Sequence, residues 1–350
     1  MVSFSRRKRL RRILLCYLSF CLLVLISLHV PPSFSGFFVL LAYLTPIVLI
    51  SLPFTFFILA FADLKYSPLP FIVILIALPQ YQETYQPGKP SKEIKREDNL
   101  SILSYNVKYF RQANSYDQFS PELIEWVVND HSDIKCLQEF SSNSKWPELN
   151  VEGKICTSGY HAFVHTAKVP GMDHHPGMAI FSKHRIIDTG LVWEKEKSVN
   201  AGIYADVLIK SDTVRIYNVH LASMGLHLIP GSFSSLVYRV LERVMQTSVE
   251  RQHQIHMLLD HLTKCPYPYI GVGDFNEMPH SYNYLQMKKT ATYSFIEAGH
   301  GFGTTYAATK LPIRIDHQFH SKKIDALQLA PYRKIRYSDH YPLYGRYRIN

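Results

Sequence analysis

Uncharged apolar runs fill most of the first 81 positions. Residues 13–30, "ILLCYLSFCLLVLISLHV", hold no charge and are close to the roughly 20 residues a helix needs to cross a bilayer. Residues 37–62 are again uncharged, and a shorter apolar run covers 67–81. None has the polar stripe of a helix on the surface of a soluble domain. The pattern predicts a membrane anchor over residues 1–81, with three transmembrane helices at about 13–30, 37–62 and 67–81. Pro46 and Pro53 kink the second, which membrane helices tolerate. Residues 82–99, "QETYQPGKPSKEIKREDN", are polar with Pro and Gly and read as a linker.

The texture changes at residue 100. Residues 100–107, 133–140, 177–183, 201–210, 212–223, 267–276, 314–321 and 341–349 read as short strands. Residues 120–131 read as a helix, with Ser120 as N-cap, Pro121 in the first turn and apolar positions 123, 124, 127 and 128. Residues 235–264 read as a second, longer helix. Strands mixed with few long helices argue against strict βαβ repetition. They predict an α/β fold over residues 100–350, built of two packed sheets with helices outside.

Charge adds little to this division. The formal net charge is +10, of which residues 1–90 carry +6 and residues 91–350 only +4. The basic excess therefore lies beside the anchor and is weak support for nucleic-acid binding by the rest. Five cysteines, at 16, 21, 136, 156 and 265, show no metal-ligand spacing and no disulfide framework. They read as small apolar residues.

Candidate chemistry collects at strand ends. Asn106, Glu139, His220, the pair Asp274/Asn276 and the pair Asp339/His340 each sit at or just past one. In "YIGVGDFNEMP", Asp274 and Asn276 are two apart, so a strand turns both to one side. Each residue has a plain structural reading. Asn106 can cap a turn, Glu139 can be an exposed strand end, and His220 can be a satisfied core histidine. Asp316, among apolar neighbours in "IRIDHQF", needs a partner.

Taken together, "SYNV", "LQEF", "NVHL", "GDFN", "RIDH" and "YSDHYP", in that order over residues ~100–350, resemble the endonuclease/exonuclease/phosphatase superfamily, the metal-dependent phosphoesterases related to DNase I. "GMAIFSK" and "GFGTTY" extend the likeness. The resemblance implies a four-layer α/β/β/α sandwich of two mixed sheets, with Mg²⁺ or Mn²⁺, one or two ions, at one rim. It implies Glu139 as principal metal ligand, with Asn106 and Asp339 beside it. It makes Asp316 and His340 an Asp–His pair, with the carboxylate raising the histidine pKa, and His220 a second histidine at the phosphate. Asp274 orients the attacking water, and Asn276 donates to a phosphate oxygen. Arg314, Arg251 and Gln252 are further candidates for the substrate border. His161, His165, His174 and His175 form a histidine-rich stretch outside these motifs and read as surface residues.

The anchor followed by this domain resembles a membrane-anchored bacterial branch. Six basic residues at 6–12 stay cytoplasmic. Three crossings then put the catalytic domain on the non-cytoplasmic side of the bacterial inner membrane. The expected partners are the lipid bilayer and a phosphate-ester substrate: nucleic acid, lipid headgroup or small phosphate such as an inositol phosphate. Residues 322–336 are the best basic candidate for a nucleic-acid groove. A non-catalytic receptor or scaffold on the same fold would show gaps among the site residues, and none is seen.

Overall fold

The computed structural model describes residues 4–62, 65–88, 99–112, 118–167, 176–225 and 233–350. The helices are α1 (Phe4–Ser27), α2 (Gly36–Ala42), α3 (Thr45–Ala62), α4 (Pro68–Ile76), α5 (Leu78–Thr84), α6 (Pro121–Asn129), α7 (Val151–Thr157), α8 (Phe233–Thr263), α9 (Tyr282–Lys288) and α10 (Ser294–Ala298). The strands are β1 (Leu100–Asn106), β2 (Ile134–Phe140), β3 (His161–Thr166), β4 (Gly177–Ser182), β5 (Ile186–Glu194), β6 (Ala201–Ile209), β7 (Asp212–His220), β8 (Tyr269–Asp274), β9 (Thr292–Tyr293), β10 (Asp316–His320), β11 (Ile324–Pro331) and β12 (Leu343–Ile349).

The chain divides into two compact units. One holds residues 1–84, 224–252 and 279–286, and the other the remainder. In the helical unit, α1 turns Leu14, Leu18, Cys21 and Leu25 inward against Leu41, Leu49, Leu52 and Val73. Their spacing of three and four residues is one stripe of a helix. The opposite faces stay apolar and uncovered: Phe54, Ile58 and Phe61 are 66%, 66% and 91% exposed.

Two of the three expected spans are broken, while the first falls largely within the single helix α1. The run 37–62 forms α2 and α3, bent by 48° at the break. Pro46 sits in the first turn of α3, where it lacks the N–H that would continue α2 and disfavours helix in the residue before it. Pro53, by contrast, lies inside α3. The run 67–81 forms α4 and α5, separated at Ala77 with Pro79 next in line. Among the described residues no single helix is long and apolar enough to cross a membrane, and only the bent α2–α3 pair meets the length and composition together. The helical unit also takes in residues 224–252 and 279–286, which the sequence pattern assigns to the catalytic domain. The linker is partly structured: Gln86 exchanges backbone hydrogen bonds of 3.0 and 2.7 Å with Gly301. Residues 89–98 lie outside the described residues.

The second unit has two six-stranded sheets, ordered β11-β12-β1-β2-β4-β3 and β5-β6-β7-β8-β10-β9. β1–β2 and β7–β8 pair parallel and their other neighbours antiparallel, so both sheets are mixed. Ile102, Cys136 and Ile180 of the first sheet meet Ile203, Ala205, Ile216 and Val272 of the second in one core. The alternate residues Leu103, Tyr105 and Leu137 face outward and pack on Leu123, Val127 and Ile155 of α6 and α7. Ser120 caps α6 as its sequence predicts, its hydroxyl accepting from Leu123 N at 3.2 Å. On the other sheet, Tyr217 OH lies 2.9 Å from His261 Nδ1 of α8. The result is the expected α/β/β/α layering. Residues 322–336, the basic candidate, include edge strand β11, paired with β12.

Candidate functional site

One rim of the sandwich gathers the polar strand ends. In the second sheet, register sets His220 of β7 opposite Asp274 of β8, and Asp274 opposite Asp316 of β10. Opposed residues face the same side, so the three form one row. Gly273 permits the row: its φ is +143°, and a Cβ there would lie 1.9 Å from Val219 O. A side chain at 273 would push β8 off β7.

The first sheet supplies Asn106 and Glu139. Asn106 ends β1 opposite Gln138, so simple alternation would turn Glu139 to the other face. The ladder shifts register between Leu137 and Phe140, and Glu139 adopts φ +50°. Such a bulge re-aims a side chain, and it brings Glu139 to Asn106. The Asn106 amide then donates to Glu139 Oε1 at 3.2 Å and to Asp274 Oδ2 at 3.0 Å. One amide thus joins a carboxylate from each sheet.

His340 Nδ1 lies 2.9 Å from Asp316 Oδ2, and its Nε2 lies 3.6 Å from Asp274 Oδ2. His340 and Asp339 precede β12 rather than end a strand. The loop is held locally: Ser338 Oγ lies 2.8 Å from Asn106 O and 3.1 Å from Asp339 Oδ1, its single hydrogen shared between them. Asn276, at φ +49°, donates its backbone N–H to Asp274 Oδ1 at 2.9 Å and one amide hydrogen to Leu221 O at 3.2 Å. The amide keeps a second hydrogen for an anion.

Buried negative charge sets the electrostatics. Burial lowers the His340 pKa, but Asp316, Asp274 and Asp339 outweigh it and hold it well above the usual histidine value. Burial raises the Asp316 carboxyl, Asp274 adds to the rise, and His340 partly offsets it. Burial and then the Asp339 charge raise Glu139, against His220 and the Asn106 hydrogen bond. Burial is the main cause for the two carboxyls and the neighbouring carboxylates for the histidine, and both follow from several carboxylates gathered in a dry rim.

That surplus fits a divalent cation. His220 is 1% exposed, both ring nitrogens lack a hydrogen-bond partner among the described residues, and its Nε2 stands 3.8 Å from Glu139 and 3.7 Å from Asp274. Those distances are too long for hydrogen bonds. Asp274, Asp316 and His340 also bring one potential ligand atom each within 4.8 Å of one another. The His340–Asp316 hydrogen bond already occupies Nδ1 of that trio. Glu139 and Asp339 offer further carboxylate oxygens, the donor type that Mg²⁺ and Mn²⁺ take.

Residues 103–340 match the model of the Endonuclease/Exonuclease/phosphatase family. The chain belongs to this phosphoesterase-type family. Solved structures share the fold. An endonuclease/exonuclease/phosphatase from Beutenbergia cavernae is 18% identical, covers 73% of this chain and 72% of its own, and has a TM-score of 0.56. A functionally unknown conserved protein from Enterococcus faecalis is 20% identical over 72% of this chain and 100% of its own, with TM-score 0.52. The human Nocturnin catalytic domain with bound sulfate is 16% identical over 72% and 95%, with TM-score 0.50. No protein of a curated set matches the chain.

Within this family fold, Asn106, Glu139, His220, Asp274, Asn276, Asp316, Asp339 and His340 share the rim, and other candidates do not join it. Arg314 is 4% exposed, donates to Phe302 O at 3.1 Å and stacks 3.4 Å over the Phe295 ring. It braces a loop and is not presented to a substrate. Arg251 is fully buried in the helical unit, where Gln252 accepts from Ser33 N at 3.0 Å. His165 pairs with Glu194 at 3.2 Å across β3 and β5, while His174 and His175 lie outside the described residues.

Sequence reasoning missed the residues that aim the site. Thr305 Oγ1 accepts from the backbone N–H of Ile315 and of Asp316, both at 3.1 Å. The Tyr306 ring stands edge-on to His340 at 5.3 Å. Between the sheets, Gln138 and Asn218 join side chains at 2.6 Å. The signal for Thr305 and Tyr306 was "GFGTTY", noted as part of the likeness but given no role.

Proposed function

We propose that the chain is a membrane-attached, divalent-metal-dependent hydrolase of phosphate esters. The observation that carries this reading is the Asn106 amide spanning Glu139 and Asp274 beside the His220–Asp274–Asp316 row. Glu139, with Asn106 and Asp339 beside it, would hold one or two Mg²⁺ or Mn²⁺ ions, and a bound ion supplies charge stabilisation at the phosphate oxygens. Asp274, steadied by Asn106 and by the Asn276 backbone, orients the attacking water and accepts its proton. His340, kept cationic by Asp316 and Asp274, clamps a phosphate oxygen, and Asn276 donates its free amide hydrogen to another. His220 donates to the developing charge on the leaving side. Water attacks phosphorus in line with the departing oxygen.

Attachment rests on the helical unit. It leaves Phe34 75%, Ile50 66%, Phe54 66% and Phe61 91% exposed, large apolar side chains of the kind that mark an interaction or membrane surface when they cluster. The bilayer is the partner that covers it. The basic cluster at 6–12 favours the cytoplasmic side of a bacterial inner membrane for the N-terminus. An odd number of crossings then puts the catalytic unit outside. A reporter fused after residue 90 tests this: activity confined to the periplasm supports export, and cytoplasmic activity refutes it.

The enzymatic reading is tested with the full chain in detergent, using p-nitrophenyl phosphate and bis(p-nitrophenyl) phosphate with Mg²⁺ or Mn²⁺. Hydrolysis lost with EDTA and in His340→Ala is expected. Hydrolysis that survives both, or none by the folded wild type, refutes it.

A further inference from the structure

The catalytic strands run directly into the apolar helical unit. β7 ends at His220, and the chain enters that unit at Met224. β8 ends at Asp274, Asn276 follows, and the chain re-enters at Pro279. Met224 follows His220 by four positions in the chain, and Pro279 follows Asp274 by five. The segments so reached are integral to the helical unit. Asn283 Nδ2 donates to Ser248 O at 3.2 Å, Tyr284 OH donates to Glu83 Oε2 at 2.5 Å, and Thr84 Oγ1 lies 3.0 Å from His280 Nε2.

The part of α8 in this unit is not an ordinary surface helix. It leaves Tyr238 68%, Leu241 39% and Val249 40% exposed, with exposed Arg239 and Arg243 beside them. Tyrosine, aliphatic and arginine side chains on one helix are the composition that settles at lipid headgroup level. The N-terminal helices of the same unit also expose large apolar side chains, for which the bilayer is the occupant. A polyanionic strand would call for the opposite surface, yet residues 91–350 carry a net charge of only +4.

We propose that the substrate is a phosphate ester carried by a membrane lipid, engaged at the bilayer surface on which the exposed face of α8 lies. This rests on the membrane-attached phosphoesterase reading. The lipid tail stays in the bilayer, the headgroup ester enters the rim, and water cleaves the P–O bond with the proton passing to the departing oxygen.

The test uses the full chain reconstituted with Mg²⁺ in phosphatidylcholine vesicles containing dioleoyl phosphatidic acid, a monoester, or dioleoyl phosphatidylglycerol, a diester. Glycerol 3-phosphate, supercoiled plasmid and the aryl phosphates are the soluble comparators. One vesicle lipid should be turned over with kcat/KM at least about 10-fold above glycerol 3-phosphate and plasmid, at a rate that falls as its mole fraction falls. Tyr238→Asp and Leu241→Asp, both at exposed positions, should cut vesicle turnover at least about 5-fold while leaving aryl phosphate hydrolysis unchanged. Plasmid or soluble ester turned over as fast as either lipid overturns this inference alone, as does equal loss on both substrates in the variants. No hydrolysis of any probe by the folded chain overturns the phosphoesterase reading with it.

Discussion

Asn218 carries more of the site than its distance from the chemistry suggests. It is fully buried between the sheets. Gln138 Nε2 donates to its Oδ1 at 2.6 Å, and its own Nδ2 donates to Leu137 O and Ala179 O at 3.0 Å each. Gln138 precedes Glu139, and Asn218 lies two residues before His220. The amide pair therefore joins the strands that hold two facing site residues. Asn218→Leu keeps the volume and deletes all three bonds. At about 1 kcal/mol net for each, the loss is about 3 kcal/mol. The Gln138 amide retains Ser104 Oγ at 3.3 Å and Cys136 O at 3.2 Å, which holds the loss near that figure. At roughly 2–4 °C per kcal/mol the melting temperature should fall by about 6–12 °C. Activity should fall further than stability explains, because Glu139 and His220 meet across this joint at 3.8 Å and a shift of about 1 Å costs on the order of 100-fold. Calorimetry and aryl phosphate hydrolysis, the latter well below the variant's melting temperature, read both effects. A cycle with Gln138→Leu should show coupling of about 1 kcal/mol. Strictly additive effects, or an Asn218→Leu protein with unchanged melting and turnover, would refute the reasoning.

Thr305→Val is nearly isosteric but strands the N–H groups of Ile315 and Asp316. It should destabilise by about 2–4 kcal/mol in denaturant melts and slow turnover through Asp316. Asp316→Asn removes a carboxylate that raises His340, so the histidine should lose its proton at lower pH. The alkaline fall of kcat should move down in pH, with kcat reduced about 100-fold or more, as a pH–rate profile would show. His317 is buried, donates to Glu277 O at 2.7 Å, and burial lowers its pKa to about 3. Between that value and the unfolded pKa the unfolded chain binds the extra proton. The contribution is therefore complete above about pH 6.5 and is lost at about 1.4 kcal/mol per unit as pH falls toward 3. His317→Gln keeps an N–H donor without that proton affinity, so its stability, followed by chemical denaturation, should decline less on acidification.

The rim was readable because several strand ends carried polar or titratable residues in order along the chain. Asn106, His220 and Asp274 end β1, β7 and β8 as their alternation indicates, and the Ser120–Pro121 cap starts α6. The aim of Glu139 was not readable, since it depends on a bulge against β4 that no local pattern encodes. Thr305 and Tyr306 were missed because their partners lie on a distant segment: Tyr341 N donates to Thr305 O and Ala307 N to Asp339 O. Arg314 looked available for a substrate because a charge in a loop usually faces water, yet Phe295 and Phe302 O bury it. Hydropathy alone merged α2 with α3 and α4 with α5, although Pro46 and Pro79 marked both breaks. The assignment of 224–252 to the helical unit was hidden because α8 runs unbroken from Phe233 to Thr263 across the unit boundary at 252.

The most direct measurement is a titration of aryl phosphate hydrolysis with Mg²⁺ and Mn²⁺ in wild type, Glu139→Gln and His340→Ala. Glu139→Gln should raise the metal concentration needed for half-activation at least about 10-fold. His340→Ala should lower kcat with that concentration unchanged. Hydrolysis indifferent to metal, or half-activation shifted by His340→Ala and not by Glu139→Gln, would contradict the assignment of Glu139 to the metal and His340 to the phosphate.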